Sequence, residues 1–132
     1  TLTFEGPIQV EKVVLLRGGY NAKLVRNNEN IDVEYQNLRT DKIFTPNLDN
    51  FLLSARLIDL VSDVIVLSGL CNDGIKGVRE HFRRGGSVYV QSPETSVART
   101  MPLAIINDGC HSVVSDPESI GKLLQEKYLT AL

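Results

Sequence analysis

The loop Ser68-Gly69-Leu70-Cys71-Asn72-Asp73-Gly74 carries the residue types best placed to do chemistry in this chain. It follows the apolar run Val64-Ile65-Val66-Leu67 and precedes a helical pattern through Ile75, Val78 and Phe82. A turn from strand into helix aims backbone N–H groups at one spot, where an anion or oxyanion can be held. Asp73 offers a carboxylate able to orient an imidazole, as the acid of a Ser-His-Asp triad does. The residues alone leave a second reading open. In it, Asn72-Asp73-Gly74 is a turn and Asp73 caps the helix beginning near Ile75.

Other candidates are weaker. Ser68 lacks the G-x-S-x-G frame of a nucleophile elbow and reads as a polar strand-end residue. His81 lies in Arg79-Glu80-His81-Phe82-Arg83-Arg84, a charged face that predicts a surface histidine. Cys110, His111 and Asp108 offer a superficial Cys-His-Asp set, but adjacent strand residues point to opposite faces. Gly18-Gly19 is too short for a phosphate cradle, and no Gly-Lys-Ser/Thr follows. Cys71 and Cys110 stand far apart with no CxxC pair, so no metal site or disulfide is expected. No cofactor is expected either.

The elements that must position this loop come in two styles. Residues 1–44 read as strands and turns. Lys12 to Leu16 is an apolar run, Ala22 to Arg26 follows, and Ile31 to Tyr35 alternates as a half-buried strand does. Asn27 to Asn30 is a turn that tolerates positive φ. Together they predict an antiparallel hairpin or small meander. Residues 45–132 read as a helix followed by βαβαβα. Thr45-Pro46 looks like an N-cap with proline behind it, and Leu48, Phe51, Leu52, Ala55 and Ile58 recur at helical spacing. Val64 to Leu67 reads as the central, most buried parallel strand. Val88 to Val90 and Val113-Val114 are the next two strands. Gly85-Gly86 and Asp108-Gly109 end helices. A helix starting at Thr95 or Ser96 should be kinked or offset by Pro102. Asp116-Pro117-Glu118 opens the last helix, with Ile120, Leu123, Leu124 and Tyr128 on one face.

The expected architecture is a single α/β domain over residues 1–132. It is a three-layer, mostly parallel, doubly wound (Rossmann-like) sheet with an N-terminal antiparallel hairpin. In such sheets the functional loops lie beyond the carboxyl ends of the strands. That rule selects Ser68 to Gly74, Gln91 to Ser96 with Thr95, and the segment after Val114.

Composition narrows the function classes. With 132 residues, 42% hydrophobic and 23% charged, the chain has the balance of one globular core. The formal net charge of −2 gives no field to recruit nucleic acid. No apolar run reaches membrane-helix length, so no membrane insertion is expected. Reduced thiols and the lack of a signal peptide at Thr1 predict a cytoplasmic protein. The chain opens on Thr1-Leu2-Thr3-Phe4 without Met, which reads as a piece of a longer protein.

The stretch from Val64 to Gly77 resembles the signature of the chemotaxis protein-glutamate methylesterases, where an apolar strand runs into G-M-G-N-D-G-x-x-G. Gln91-Ser92-Pro93-Glu94-Thr95-Ser96-Val97 resembles that family's Q-(D/N)-E-A-T-S-V. Met101-Pro102, Ala104-Ile105 and Gly109 resemble its G-M-P-x-x-A-I…G run. Pro46-Asn47-Leu48-Asp49 is similar to its R-P-S-V-D helix start. Leu16 to Asn21 is similar to a worn A-P-G-D-x-H. The likeness covers nearly the whole chain in order.

The resemblance implies enzymes that remove methyl esters from receptor glutamates with a Ser-His-Asp triad on a doubly wound sheet. Asp73 then matches the acid. Leu70 stands at the methionine whose backbone amide helps form the oxyanion hole. Ser68, Gly69, Cys71, Asn72, Gly74, Thr95, Ser96, Met101 and Pro102 line the cleft. The family's serine and histidine belong upstream of Thr1, and nothing here matches either. Cys71 and Thr100 replace glycines, Pro93 replaces an acid, and Asn21 replaces a histidine outside the triad. These changes suggest relaxed selection on the cleft. The expectation is a non-catalytic regulatory or interaction module in chemotaxis-type signalling. The alternative is the C-terminal part of an active receptor methylesterase. A small-anion binder using the Asn72-Asp73-Gly74 turn is a third class. The expected partner is a methyl-accepting chemotaxis receptor or another signalling protein. Self-association through an uncovered sheet edge is expected as well.

Overall fold

The computed structural model describes residues 2–3, 6–9, 11–36 and 47–129. Two compact units are present, Thr1–Leu60 and Val61–Leu132.

In the first unit, β1 (Leu2–Thr3) pairs parallel with β3 (Val13–Val14). A three-stranded antiparallel sheet has the order β2 (Gly6–Pro7), β5 (Asn30–Tyr35), β4 (Ala22–Asn27). The expected hairpin is β4–β5, in register from Ala22↔Tyr35 to Asn27↔Asn30. Its turn residue Asn28 sits at φ 56°, a left-handed conformation that asparagine tolerates. Strand alternation sends Ala22 and Leu24 inward, where they meet Val33 and Ala55 in a core.

Ala55 belongs to α1 (Leu48–Leu57), which packs on β4 and so groups with the hairpin. The cap of α1 is Asn47, whose side chain accepts the Asn50 amide at 3.0 Å. The cap expected at Thr45-Pro46 lies outside the described residues. The Ser54 hydroxyl of α1 accepts the Leu24 amide at 2.8 Å, so the outer side of β4 is partly occupied by a side chain.

In the second unit, three strands form a parallel sheet in the order β6 (Asp63–Val66), β7 (Ser87–Gln91), β8 (Val113–Ser115). They alternate with α2 (Ile75–Arg83), α3 (Thr100–Asn107) and α4 (Pro117–Leu129). Right-handed crossovers in one direction place α2 and α3 on the same face, and these two helices pack on each other and on β7. Helix α4 packs on β7 and β8. The α/β class, with a parallel sheet beside an antiparallel hairpin, is as expected.

Three details differ from expectation. The central, most buried strand is β7, with Val88 and Val90 at 0% exposure, while β6 pairs only with β7 among the described residues. Ile65 on β6 is 44% exposed and Leu67 falls past the strand end. An apolar run fixes that a strand exists, but not its place in the order. Second, Pro93–Thr95 forms only a 3₁₀ turn, and α3 begins at Thr100. Third, Pro102 therefore lies in the first turn of α3, where its missing N–H costs no helical bond and no kink is needed. On α4 only Ile120 is buried, and Leu123 and Tyr128 are exposed.

The amino-terminal end of the sheet is tied to α4. Lys127 Nζ donates to both oxygens of Asp63, at 2.8 and 3.0 Å, and the Tyr128 hydroxyl donates to the same carboxylate. Burial pushes the Asp63 carboxyl up, but these hydrogen bonds outweigh it and hold the group below its ordinary value. At the other end of α4, Asp116 accepts the Ser119 amide at 2.9 Å and the Ser119 hydroxyl at 2.7 Å. Those bonds hold Asp116 below the usual carboxylate range.

Candidate active site

All three parallel strands end on the same side of the sheet, and the loops after them meet there. Gln91, the last residue of β7, is 7% exposed and spans two of these loops. Its Oε1 accepts the Ser68 amide at 2.8 Å. Its Nε2 donates to the Thr95 carbonyl at 3.0 Å, with Thr95 Oγ1 at 3.3 Å. The loop after β6 is stitched further to the segment before α3. The Ala98 amide donates to Ser68 Oγ at 2.9 Å, the Gly69 amide donates to the Ala98 carbonyl at 3.0 Å, and the Met101 amide donates to the Gly69 carbonyl at 3.0 Å. The Ser92 amide reaches the Ser115 carbonyl at 2.8 Å, which brings in the end of β8. Buried Ser96 closes the 3₁₀ turn by donating its hydroxyl to the Ser92 carbonyl at 3.0 Å.

On this platform the loop rises into α2. Leu70 is 76% exposed, and its backbone N–H has no acceptor among the described residues. Cys71 is half-buried, and its sulfur accepts the Asp73 amide at 3.3 Å. Exposed Asn72 lends its carbonyl to the Ile75 amide at 3.4 Å. The helix cap is Gly74, at φ 98°, which has no side chain to cap with. Asp73 is half-buried one residue before that cap.

The structure thus brings Ser68, Gly69, Leu70, Cys71, Asn72, Asp73, Gly74, Thr95, Ser96, Met101 and Pro102 to one end of the sheet. It leaves the histidines elsewhere. His81 is half-buried rather than simply on the surface, with Nε2 3.2 Å from the Ser87 carbonyl at the start of β7. His111 precedes β8, next to Ser112, whose amide and hydroxyl pair with Val88. Both imidazoles therefore lie at the amino-terminal end of the sheet, one strand length, roughly 13 Å, from the Asp73 loop. Cys110 is buried beside His111, and its thiol lies 3.6 Å from the Asp108 carbonyl. Asn21 has a framework role in the first unit: its Oδ1 accepts the Asn47 amide at 3.1 Å, fixing the start of α1.

Sequence reasoning placed Gln91 in a functional loop without giving its side chain a role, and it missed Ala98. The signal for Gln91 was present: an amide closing the wholly apolar run Val88-Tyr89-Val90. Ala98 acts through its backbone and had no side-chain signal.

The family model for the CheB methylesterase matches residues 3–124. The chain belongs to the CheB methylesterase family. A protein-glutamate methylesterase/protein-glutamine glutaminase of Geobacter sulfurreducens is 30% identical over 120 residues, covering 90% of this chain and 32% of that protein. One from Moorella thermoacetica is 37% identical over 79 residues, 59% of this chain and 19% of that protein. The crystal structure of the Thermotoga maritima CheB methylesterase catalytic domain superposes with a TM-score of 0.82 and 25% identity, over 95% of this chain and 67% of that one. The resemblance read from the sequence is thereby confirmed. This CheB-type chain spans about a third of the Geobacter relative's length.

Proposed function

We propose that this chain is the acid-bearing part of a methylesterase-type cleft, without ester hydrolysis of its own, and that it serves as an interaction and regulatory module in chemotaxis-type signalling in the cytoplasm. The carrying observation is the separation of Asp73 from both histidines across the length of β7. A triad needs its base within hydrogen-bond reach of the acid, about 3 Å. Asp73 takes the acid's position, and the Leu70 amide takes that of an oxyanion donor. Met101, Pro102, Thr95 and Ser96 support the loops around them. The partner is a methyl-accepting chemotaxis receptor or another signalling protein. The names of the relatives point to glutamyl esters and glutamine side chains as the groups such a partner presents.

The test is methanol release from methylated receptor by the purified chain. No release above the uncatalysed rate is expected, because losing nucleophile and base together costs on the order of 10⁶ in rate. Turnover that survives purification and is abolished by Asp73→Ala overturns the reading.

A second reading is favoured by the intact bonding around Ser68, Gly69 and Met101: this chain is the C-terminal part of an active receptor methylesterase that hydrolyses glutamate methyl esters. Adding a serine- and histidine-bearing segment from a relative distinguishes the two. Restored turnover supports the second reading.

Self-association follows from β6, which has a single strand partner among the described residues and leaves Ile65 44% exposed. Light scattering across a concentration series should show dimers or larger species. A strict monomer removes this part of the proposal.

A further inference from the structure

The buried amide of Gln91 joins the end of β7 to both neighbouring loops. A strand end does not by itself decide where the next segment goes. After Val66 the chain leaves the ladder, and the Ser68 amide would point at the end of β7 with nothing to accept it. Gln91 Oε1 stands there at 2.8 Å. The opposite end of the same amide donates to Thr95, which fixes the orientation. Turning the amide over would set NH₂ against the Ser68 N–H and oxygen against the Thr95 carbonyl, two repulsive contacts in place of two bonds. A leucine or methionine of similar length would leave the Ser68 amide and Thr95 carbonyl short of a partner. Such losses are costly at a site where the joining side chain is only 7% exposed.

We infer that Gln91 is a positioning residue for the acid loop. Its oriented amide sets the direction in which Ser68 to Asp73 leaves β6, and so where the Leu70 amide and the Asp73 carboxylate stand. This rests on the proposed role of that loop. Gln91 touches no reacting group. It acts through Ser68 on one side and Thr95 on the other, and the Ala98–Ser68 and Ala98–Gly69 bonds carry the constraint along the loop.

The test uses the full chain and backbone amide hydrogen exchange, so it needs no activity. In Gln91→Glu the carboxylate still accepts from Ser68 but cannot donate to Thr95. When protonated it can do both. Exchange at Gly69 and Asp73 should rise about tenfold relative to Val88 and Val90, as expected when the buried bond to Thr95 that fixes the loop's direction is lost. The protection should return as the pH falls through the range where a carboxyl takes up its proton. A purely structural lesion would not show that acid rescue. Gln91→Met, which lacks both bonds at every pH, should show the same loosening without rescue, and it serves as the test if the glutamate variant fails to fold. Exchange that is unchanged at the loop, or that rises equally along β7, overturns the inference. Methanol release by the unaltered chain would instead overturn the proposed function and leave this result standing.

Discussion

The backbone amide of Asp73 donates to the sulfur of Cys71, 3.3 Å away. The family signature that this loop resembles, G-M-G-N-D-G, has glycine where Cys71 stands, and a glycine has no sulfur to accept this bond. A sulfur is a weak acceptor, but here it closes the turn that leads into Gly74 and α2. The substitution has thus given the loop a contact, and the relaxed selection suggested from sequence is not its only reading.

That arrangement also sets thiol chemistry. Cys71 is half-buried and Cys110 is buried. A thiol reagent in excess should therefore label one cysteine rapidly, and Cys71→Ser should remove the fast phase. Equal rates at both residues would contradict the placement of Cys71 at the loop surface.

Gly74 and Gly69 should respond oppositely to alanine. Gly74 has φ 98°, where a side chain is strained, so Gly74→Ala should cost about 1 kcal/mol or more in denaturant unfolding. At Gly69 an added Cβ would meet Leu67 O and Met101 Cβ at an ordinary 3.9 Å, so Gly69→Ala should stay within about 0.5 kcal/mol. Reversed costs would show that the loop's backbone differs from that described.

His81 lies over Gly86 so closely that a Cβ on Gly86 would overlap the imidazole ring. Gly86→Ala should displace the ring and break its contact with the Ser87 carbonyl, costing about 1–2 kcal/mol. The double variant with His81→Ala should recover much of that cost. A strictly additive pair would mean the ring and Gly86 do not meet.

The Asp63 cluster predicts a stability window. The folded carboxyl lies below its ordinary value of 3.8, so its contribution is complete above that pH and is lost as the pH falls through the lower folded value. Tyr128 is raised above 10.0, chiefly by its bond to Asp63, so its contribution holds below pH 10.0 and is lost as the pH rises through the higher folded value. Unfolding free energies measured across pH should show both flanks, and Asp63→Asn should flatten the acid flank. An unchanged acid flank would mean that other carboxyls govern it.

Strand and helix alternation was legible because it depends on local periodicity, and the turns at Asn28, Gly85 and Gly109 were legible from residue type. The order of strands was not. Val64 to Leu67 looks more apolar than Ser87 to Gln91, yet the latter has a neighbour on each side. The start of α3 was misplaced because Thr95 and Ser96 resemble caps, whereas Ser96 spends its hydroxyl on closing a tight turn. Around the candidate site, the loop and its acid were visible from residue types and from the family resemblance. The stitching was not, since most of it runs through the backbones of Gly69, Ala98 and Met101.

Ser54 bears on how the folded hairpin escapes aggregation. By seating its hydroxyl against Leu24, it occupies an amide that would otherwise invite a foreign strand. A hairpin edge covered in this way once α1 has docked is a poor template for fibril growth, so removing that hydroxyl should shorten the lag before aggregation even where the finished fold tolerates the change.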